Sequence, residues 1–213
     1  MKLARILLAQ AVRLAKVAGV GGGAVYGLNL AKACEERYGF LQAPRVLGDY
    51  DLSKGVTFLH GYFQQRFVID RFQVFENGVL AEARVDTDDC DEFLDDVFKW
   101  VAEHAGITID PSTMPPQKLY LSQIEVQSNI SLDKSFVKVA PLGTQISDLQ
   151  RGYGQIIPDL EVSGLSLGTT GDAMSFKFER REGPSVPPDL YFASSRLRTK
   201  DHIKMLEALE KLL

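Results

Sequence analysis

Residues 71–85 read RFQVFENGVLAEARV. The runs RFQVFE and VLAEARV on either side of Asn77-Gly78 are strand-like, rich in Phe, Val, Leu and Ala. Asn-Gly between two such runs predicts a two-residue type I′ hairpin loop, because both loop positions need φ > 0. The pairing this implies sets Phe75 opposite Leu80 and Val74 opposite Ala81. A tight hairpin joins antiparallel strands, so this stretch points to an antiparallel sheet.

Working outward, Thr57–Phe63 and Phe67–Glu76 are strand-like, and Phe58, Tyr62, Phe63, Phe67, Phe72 and Phe75 are candidate core. Residues 88–105 predict a helix with Leu94, Val97, Val101 and Ala105 in one stripe and Phe93 and Trp100 beside it. Asp88 is the expected N-cap and Gly106 the stop. Pro111, Pro115 and Pro116 mark a loop. Lys118–Gln127 alternates as a strand, 134–140 reads as another, and 142–153 reads as weakly helical. Residues 160–167 and 174–181 form a hairpin with Gly168 and Gly171 in its loop, and 190–193 is a short strand. Thr199 caps a last helix with Ile203, Leu206, Leu209 and Leu213 on one face. The expected fold is α+β, an antiparallel sheet with helices on one face, preceded by a helical N-terminal arm. The division is an arm at 1–38, a linker at 39–55 carrying Pro44, Gly48 and Gly55, and a body at 56–213.

The chain has 213 residues, 45% hydrophobic and 24% charged, values of a globular chain. They exclude disordered, collagen-like and polytopic membrane classes. The net charge of −4 hides an asymmetry. Lys2, Arg5, Arg13, Lys16 and Lys32 precede the first acid, Glu35, so the first 34 residues are basic and the remainder is strongly acidic. Such a split suggests a segment with its own anionic partner, while the acidic body argues against nucleic acid.

Residues 2–18 read as an amphipathic helix. At 100° per residue Lys2, Arg5, Arg13 and Lys16 share one face, opposite Leu3, Ile6, Leu7, Leu14 and Val17. Residues 17–31 carry no charge, yet as a helix they rise only about 22 Å, short of a ~30 Å hydrocarbon core. Gly19, Gly23 and Gly27 fall four apart, a small-residue face that lets a partner helix approach. The favoured reading of Gly19 to Gly23 is a flexible turn between two helices, since Gly19, Gly21, Gly22 and Gly23 are poor helix formers in water. A second helix follows at 24–38 and ends at Gly39.

Candidate chemistry is sparse. The glycine run lacks the preceding strand and the following Lys-Ser/Thr of a phosphate loop. Asp86, Asp88, Asp89, Asp91, Glu92, Asp95 and Asp96 form an acidic run without the central glycine of a calcium loop. It suits a helix start and a docking face for a basic partner, the chain's own basic segment included. His60, His104 and His202 have no metal or catalytic spacing, and Cys34 and Cys90 have no CxxC partner. No metal or cofactor is expected, and two isolated cysteines suggest a reducing compartment. Ser195, Arg196, Arg198, Thr199 and Lys200, before the last helix, make a candidate anion cradle.

Residues 5–26, ending Gly22-Gly23-Ala24-Val25-Tyr26, resemble the glycine-rich membrane segment of small inner-membrane organising subunits of mitochondria. The likeness covers about a tenth of the chain and implies membrane association and a mitochondrial location. The body resembles no family. Three functions stay open. One is a non-catalytic membrane-associated or assembly subunit, with a hetero-oligomeric assembly among the options, that uses Lys2, Arg5, Arg13, Lys16, Gly19, Gly23 and Gly27. The second is a ligand-binding domain or enzyme with an anion site near Arg196 and Arg198. The third is a nucleic-acid contact through the basic arm.

Overall fold

The computed structural model describes residues 1–14, 17–18, 23–105, 108–109, 117–169 and 176–213, with backbone alone for 17–18, 23–28, 105 and 108–109. Expectations at Lys16, Gly19 to Gly22, Gly106, Pro111, Pro115, Pro116 and Gly171 lie outside the described residues. In chain order the elements are β1 (Lys2–Leu14), β2 (Val17–Ala18), α1 (Gly23–Tyr38), β3 (Val56–Phe63), β4 (Phe67–Phe75), β5 (Gly78–Ala83), α2 (Thr87–Ala105), β6 (Thr108–Ile109), β7 (Gln117–Gln127), α3 (Leu132–Ser135), α4 (Ala140–Gly152), β8 (Gly164–Leu167), β9 (Phe176–Arg180), β10 (Leu190–Ser195) and α5 (Thr199–Leu212). Among the described residues the fold is mixed α and β, with an eight-stranded antiparallel sheet and five α-helices. Strands β2 and β6 form a separate short pair.

The chain divides into two compact units. The first comprises Ile6–Gln123 and Arg196–Asp201. Its strands run in the order β3-β4-β5-β1-β7. Along β1 the residues Ala9, Ala11 and Arg13 alternate onto a buried face. Ala9 lies opposite Ala83 and Ala11 opposite Ala81, which makes a shallow alanine floor. Helix α2 covers it, and the Cys90 thiol reaches the Ala9 carbonyl at 3.7 Å. Phe93 of α2 meets the rings of Tyr38, Phe63 and Phe72 edge-on at 5.1, 5.6 and 5.4 Å, the geometry aromatic quadrupoles favour. The opposite face is mixed, with Gln10 and Arg71 both donating to Glu82 and Gln73 donating to Thr57, beside half-buried Leu8, Val12, Leu14 and Leu80. Helices α1 and α2 pack on the buried face of these strands.

Several expectations are corrected. Residues 2–14 are a strand, not the first part of a basic helical arm. The cations fit a helical period locally, but the alanines of β1 align with those of β5 seventy residues away, and that pairing wins over local periodicity. The 39–55 segment is irregular and mostly exposed over 45–54, but its start is tied to the sheet. Phe40 is buried against Phe58 and Phe72, and Gln42 bridges Leu59. The hairpin pairs two residues out of the expected register, with Phe75 opposite Gly78 and Val74 opposite Val79. Its loop is Glu76-Asn77, without positive φ. Positive φ occurs instead in the three-residue loop Gln64-Gln65-Arg66 that closes β3–β4, at Gln64 (φ 50) and Gln65 (φ 57). Asp86, not Asp88, caps α2: its carboxylate accepts the Asp88 N–H at 2.9 Å. The strand expected at 134–140 is replaced by α3 and the turn into α4. The helix over 24–38, the hairpin of β8 and β9 and the helix from Thr199 match the sequence reading, and Gly39 takes the expected left-handed C′ conformation (φ 60).

The second unit comprises Met1–Arg5, Ile124–Ser195 and His202–Leu213, with strand order β1-β7-β10-β9-β8. Ile124, Val126, Phe178, Tyr191 and Leu206 are buried here. Phe178 stacks on Tyr191 at 4.7 Å, and the Tyr191 hydroxyl donates to the Ile130 carbonyl at 2.7 Å. Glu210 of α5 holds both the terminal amino group of Met1 and the Ser128 hydroxyl.

Candidate functional site

Charge neutralisation along α2 accounts for most of the residues that the sequence marks as functional. Arg66 bridges Asp89 and Glu92, each at 2.8 Å. Arg37 pairs with Asp96, which also accepts the Tyr38 hydroxyl at 2.7 Å. Arg13 is only 4% exposed and is held by Asp91 and, at 3.1 Å, Asp95. Burial opposes the Arg13 charge, but the hydrogen bonds to Asp91 and Asp95 outweigh it and keep the guanidinium protonated. Asp91 further accepts the Tyr120 hydroxyl at 2.7 Å and lies 3.4 Å from Arg198 and 3.7 Å from Lys118. The acidic run thus pairs with the chain's own cations.

The expected anion cradle faces these same acids. Arg198 and Lys200 reach Asp88 at 3.3 and 2.8 Å, and Arg198 donates to the Tyr120 hydroxyl at 2.7 Å while lying over its ring. Thr199 is fully buried at the start of α5, and Ser195 is buried at the end of β10. Arg196 is exposed. Of the expected membrane or partner contacts, Lys2 is exposed and Arg5 bonds buried Glu125 at 2.6 Å. That hydrogen bond holds the Glu125 carboxyl below the usual carboxylate range. Gly23 and Gly27 lie in α1. Burial pushes the thiols of Cys34 and Cys90 up to about 12, so neither is poised for nucleophilic chemistry. Among the described residues no helix is long and apolar enough to cross a membrane, and no group of three or more His, Cys, Asp or Glu is placed to hold a metal ion.

A different feature stands out in the second unit. Helix α4 ends in a left-handed Gly154 (φ 82), with the Gln155 N–H returning to the Gln150 carbonyl. Leu142, Ile146, Leu149 and Tyr153 are spaced four, three and four apart, which places them within about 60° on one face. That face is turned to solvent: Leu142 is 53% exposed, Leu149 60% and Tyr153 76%. The face turned inward is small and polar. A Cβ on Gly143 would lie 2.2 Å from the Leu160 carbonyl oxygen, so only glycine fits there. Ser147 is buried, donating to the Gly143 carbonyl at 3.0 Å and accepting the Leu160 N–H at 2.9 Å. Arg151 completes the seat by bonding Asp148, Asp159 and the Ile157 carbonyl. An open groove of ≈ 510 Å³ runs beside the stripe, lined by Gln145, Asp148, Leu149, Gly152 and Tyr153.

No protein-family model, curated protein or solved structure gives a significant match to the chain. The functional reading therefore rests on the geometry alone. The sequence carries the 4-3-4 spacing of α4 in plain view. An apolar stripe ordinarily signals the buried side of a helix, and the clue to the reversal is the pair Gly143 and Ser147 at i, i+4 on the other side.

Proposed function

We propose that the protein is a non-catalytic assembly subunit and that the outward stripe of α4 is its docking surface. The observation that carries this is the reversed amphipathicity of α4, whose apolar side faces water while glycine and serine hold it to the fold. A concentrated apolar stripe of this kind marks an interaction site rather than ordinary surface. Presentation of i, i+4, i+7 anchors on a helix is a recurring mode of recognition between proteins. The chemistry of α4 fits a protein partner better than a lipid surface. Helices that lie in membrane interfaces carry rows of Lys and Arg on the polar side. Here Arg151 is the helix's single base, and it is bonded to Asp148 and Asp159. The alternatives built on an anion site or a basic arm are weakened because Arg13, Arg198 and Lys200 already meet carboxylates of the chain.

The test is sedimentation of the full chain from its own cells on a glycerol gradient. The wild type should migrate above its 23.6 kDa mass, and Leu149→Glu should return it to the monomer position without a change in Tm. Wild type at the monomer position contradicts the reading.

A further inference from the structure

We infer that the occupant of the α4 stripe is a second copy of this chain, with the two α4 helices packed antiparallel across a two-fold axis. This rests on the docking reading above and adds the partner to it. An isologous interface requires a patch complementary to itself. The 4-3-4 spacing of the stripe is palindromic. A two-fold axis midway between Ile146 and Leu149 sets Ile146 against Leu149 of the partner subunit, and Leu142 against Tyr153 of the partner subunit. The small end of each stripe then receives the large aromatic end of the other.

Charge supports the same occupant. A helix that meets its own copy must not bring like charges together. The charges of α4 are Asp148 and Arg151, joined to each other at 3.1 Å, and the flanks of the stripe carry neutral Gln145 and Gln150. A partner selected by charge would be met by a charged rim, which this helix does not have. The area also suits. Leu142, Ile146, Leu149 and Tyr153 together expose on the order of 450 Å², more than half of the ~800 Å² each partner buries in a stable interface of standard size.

The experiment is sedimentation velocity of the purified full chain across a concentration series, with Tm as the control for folding. The wild type should dimerise. Ile146→Glu and Leu149→Lys should each weaken the dimer more than tenfold. The double variant Ile146→Glu/Leu149→Lys should restore it, since each glutamate then faces a lysine of the partner subunit. A double variant that stays monomeric overturns the antiparallel pairing. A wild type that stays monomeric overturns the second copy, and the gradient from cells then separates the two levels. A heavy complex there leaves the docking reading standing with another protein as partner, whereas a monomer there removes both. Flotation of the monomer with phosphatidylcholine–phosphatidylserine vesicles would assign the stripe to lipid and overturn the proposal.

Discussion

Thr87 and Thr199 cap each other. The Thr199 hydroxyl accepts the backbone N–H of Thr87 at 3.2 Å, and the Thr87 hydroxyl accepts the backbone N–H of Thr199 at 2.9 Å. Both residues are fully buried, and each opens a helix, α2 and α5. Two first-turn amides that no helix can satisfy internally are thereby paired across 112 residues of chain. The exchange fixes the base from which Arg198 and Lys200 reach Asp88.

Replacing either threonine by valine leaves one buried N–H without its acceptor, a loss of about 1–3 kcal/mol. Denaturant melts should show that cost for Thr87→Val and for Thr199→Val. The serine variants, which keep the oxygen, should lose less than half as much. Equal losses for serine and valine would assign the effect to the methyl groups instead.

Arg13 tests whether the N-terminal basic segment belongs to the core. Arg13→Ala leaves Asp91 buried beside weaker partners, and breaking one side of a buried pair costs about 3–5 kcal/mol. The pair Arg13→Met with Asp91→Leu should recover much of that loss. For the same reason residues 39–213 should not fold alone, since removing β1 strips Ala9 and Ala11 from the floor beneath α2. A cooperative melt of 39–213 near the full-length Tm would restore the separable-arm reading.

Gly78 is sensitive for a reason other than turn geometry. A Cβ there would lie 2.4 Å from the Arg13 carbonyl oxygen on the paired strand. Gly78→Ala should therefore cost about 1–3 kcal/mol by overpacking. Asn77→Ala, in the loop itself, should cost well under that in the same melt.

Stability should fall on mild acidification. Burial lowers the His202 imidazole to about 4 from an ordinary 6.5. Between those values the unfolded chain binds a proton that the native chain refuses, so stability is full above pH 6.5 and declines as pH falls toward 4, by at most about 3 kcal/mol. Glu125 and Glu210 are shifted below their ordinary 4.5, by hydrogen bonds from Arg5 and from the terminal amino group respectively. Their contribution is present above that value and is lost as pH falls further. His202→Gln should flatten the slope between pH 6.5 and 4.5 in thermal melts. An unchanged slope would mean His202 titrates normally.

Much of the fold is legible in local pattern. Helix α2 shows its stripe, α5 its threonine start, and β4–β5 their strand-like runs, because each meets its core through one periodic face. What local pattern does not reach is β1. Its cations fit a helical wheel, and the strand is decided by alanines of β5 that no window of eighteen residues contains. The acidic run of α2 reads first as a helix start, and the cations that pair with it come from distant points in the chain: Arg13, Arg37, Arg66, Lys118, Arg198 and Lys200. The α4 stripe is the hardest case, since amphipathicity gives the two faces of a helix without saying which one meets water.

The direct measurement for α4 is photocrosslinking in the cells of origin, with a benzophenone amino acid placed at Leu149 and, as control, at Thr144 on the far side of the helix. A protein adduct is expected at position 149 and none at position 144. No adduct at 149, or equal adducts at both positions, would contradict the assignment of the stripe as a docking surface.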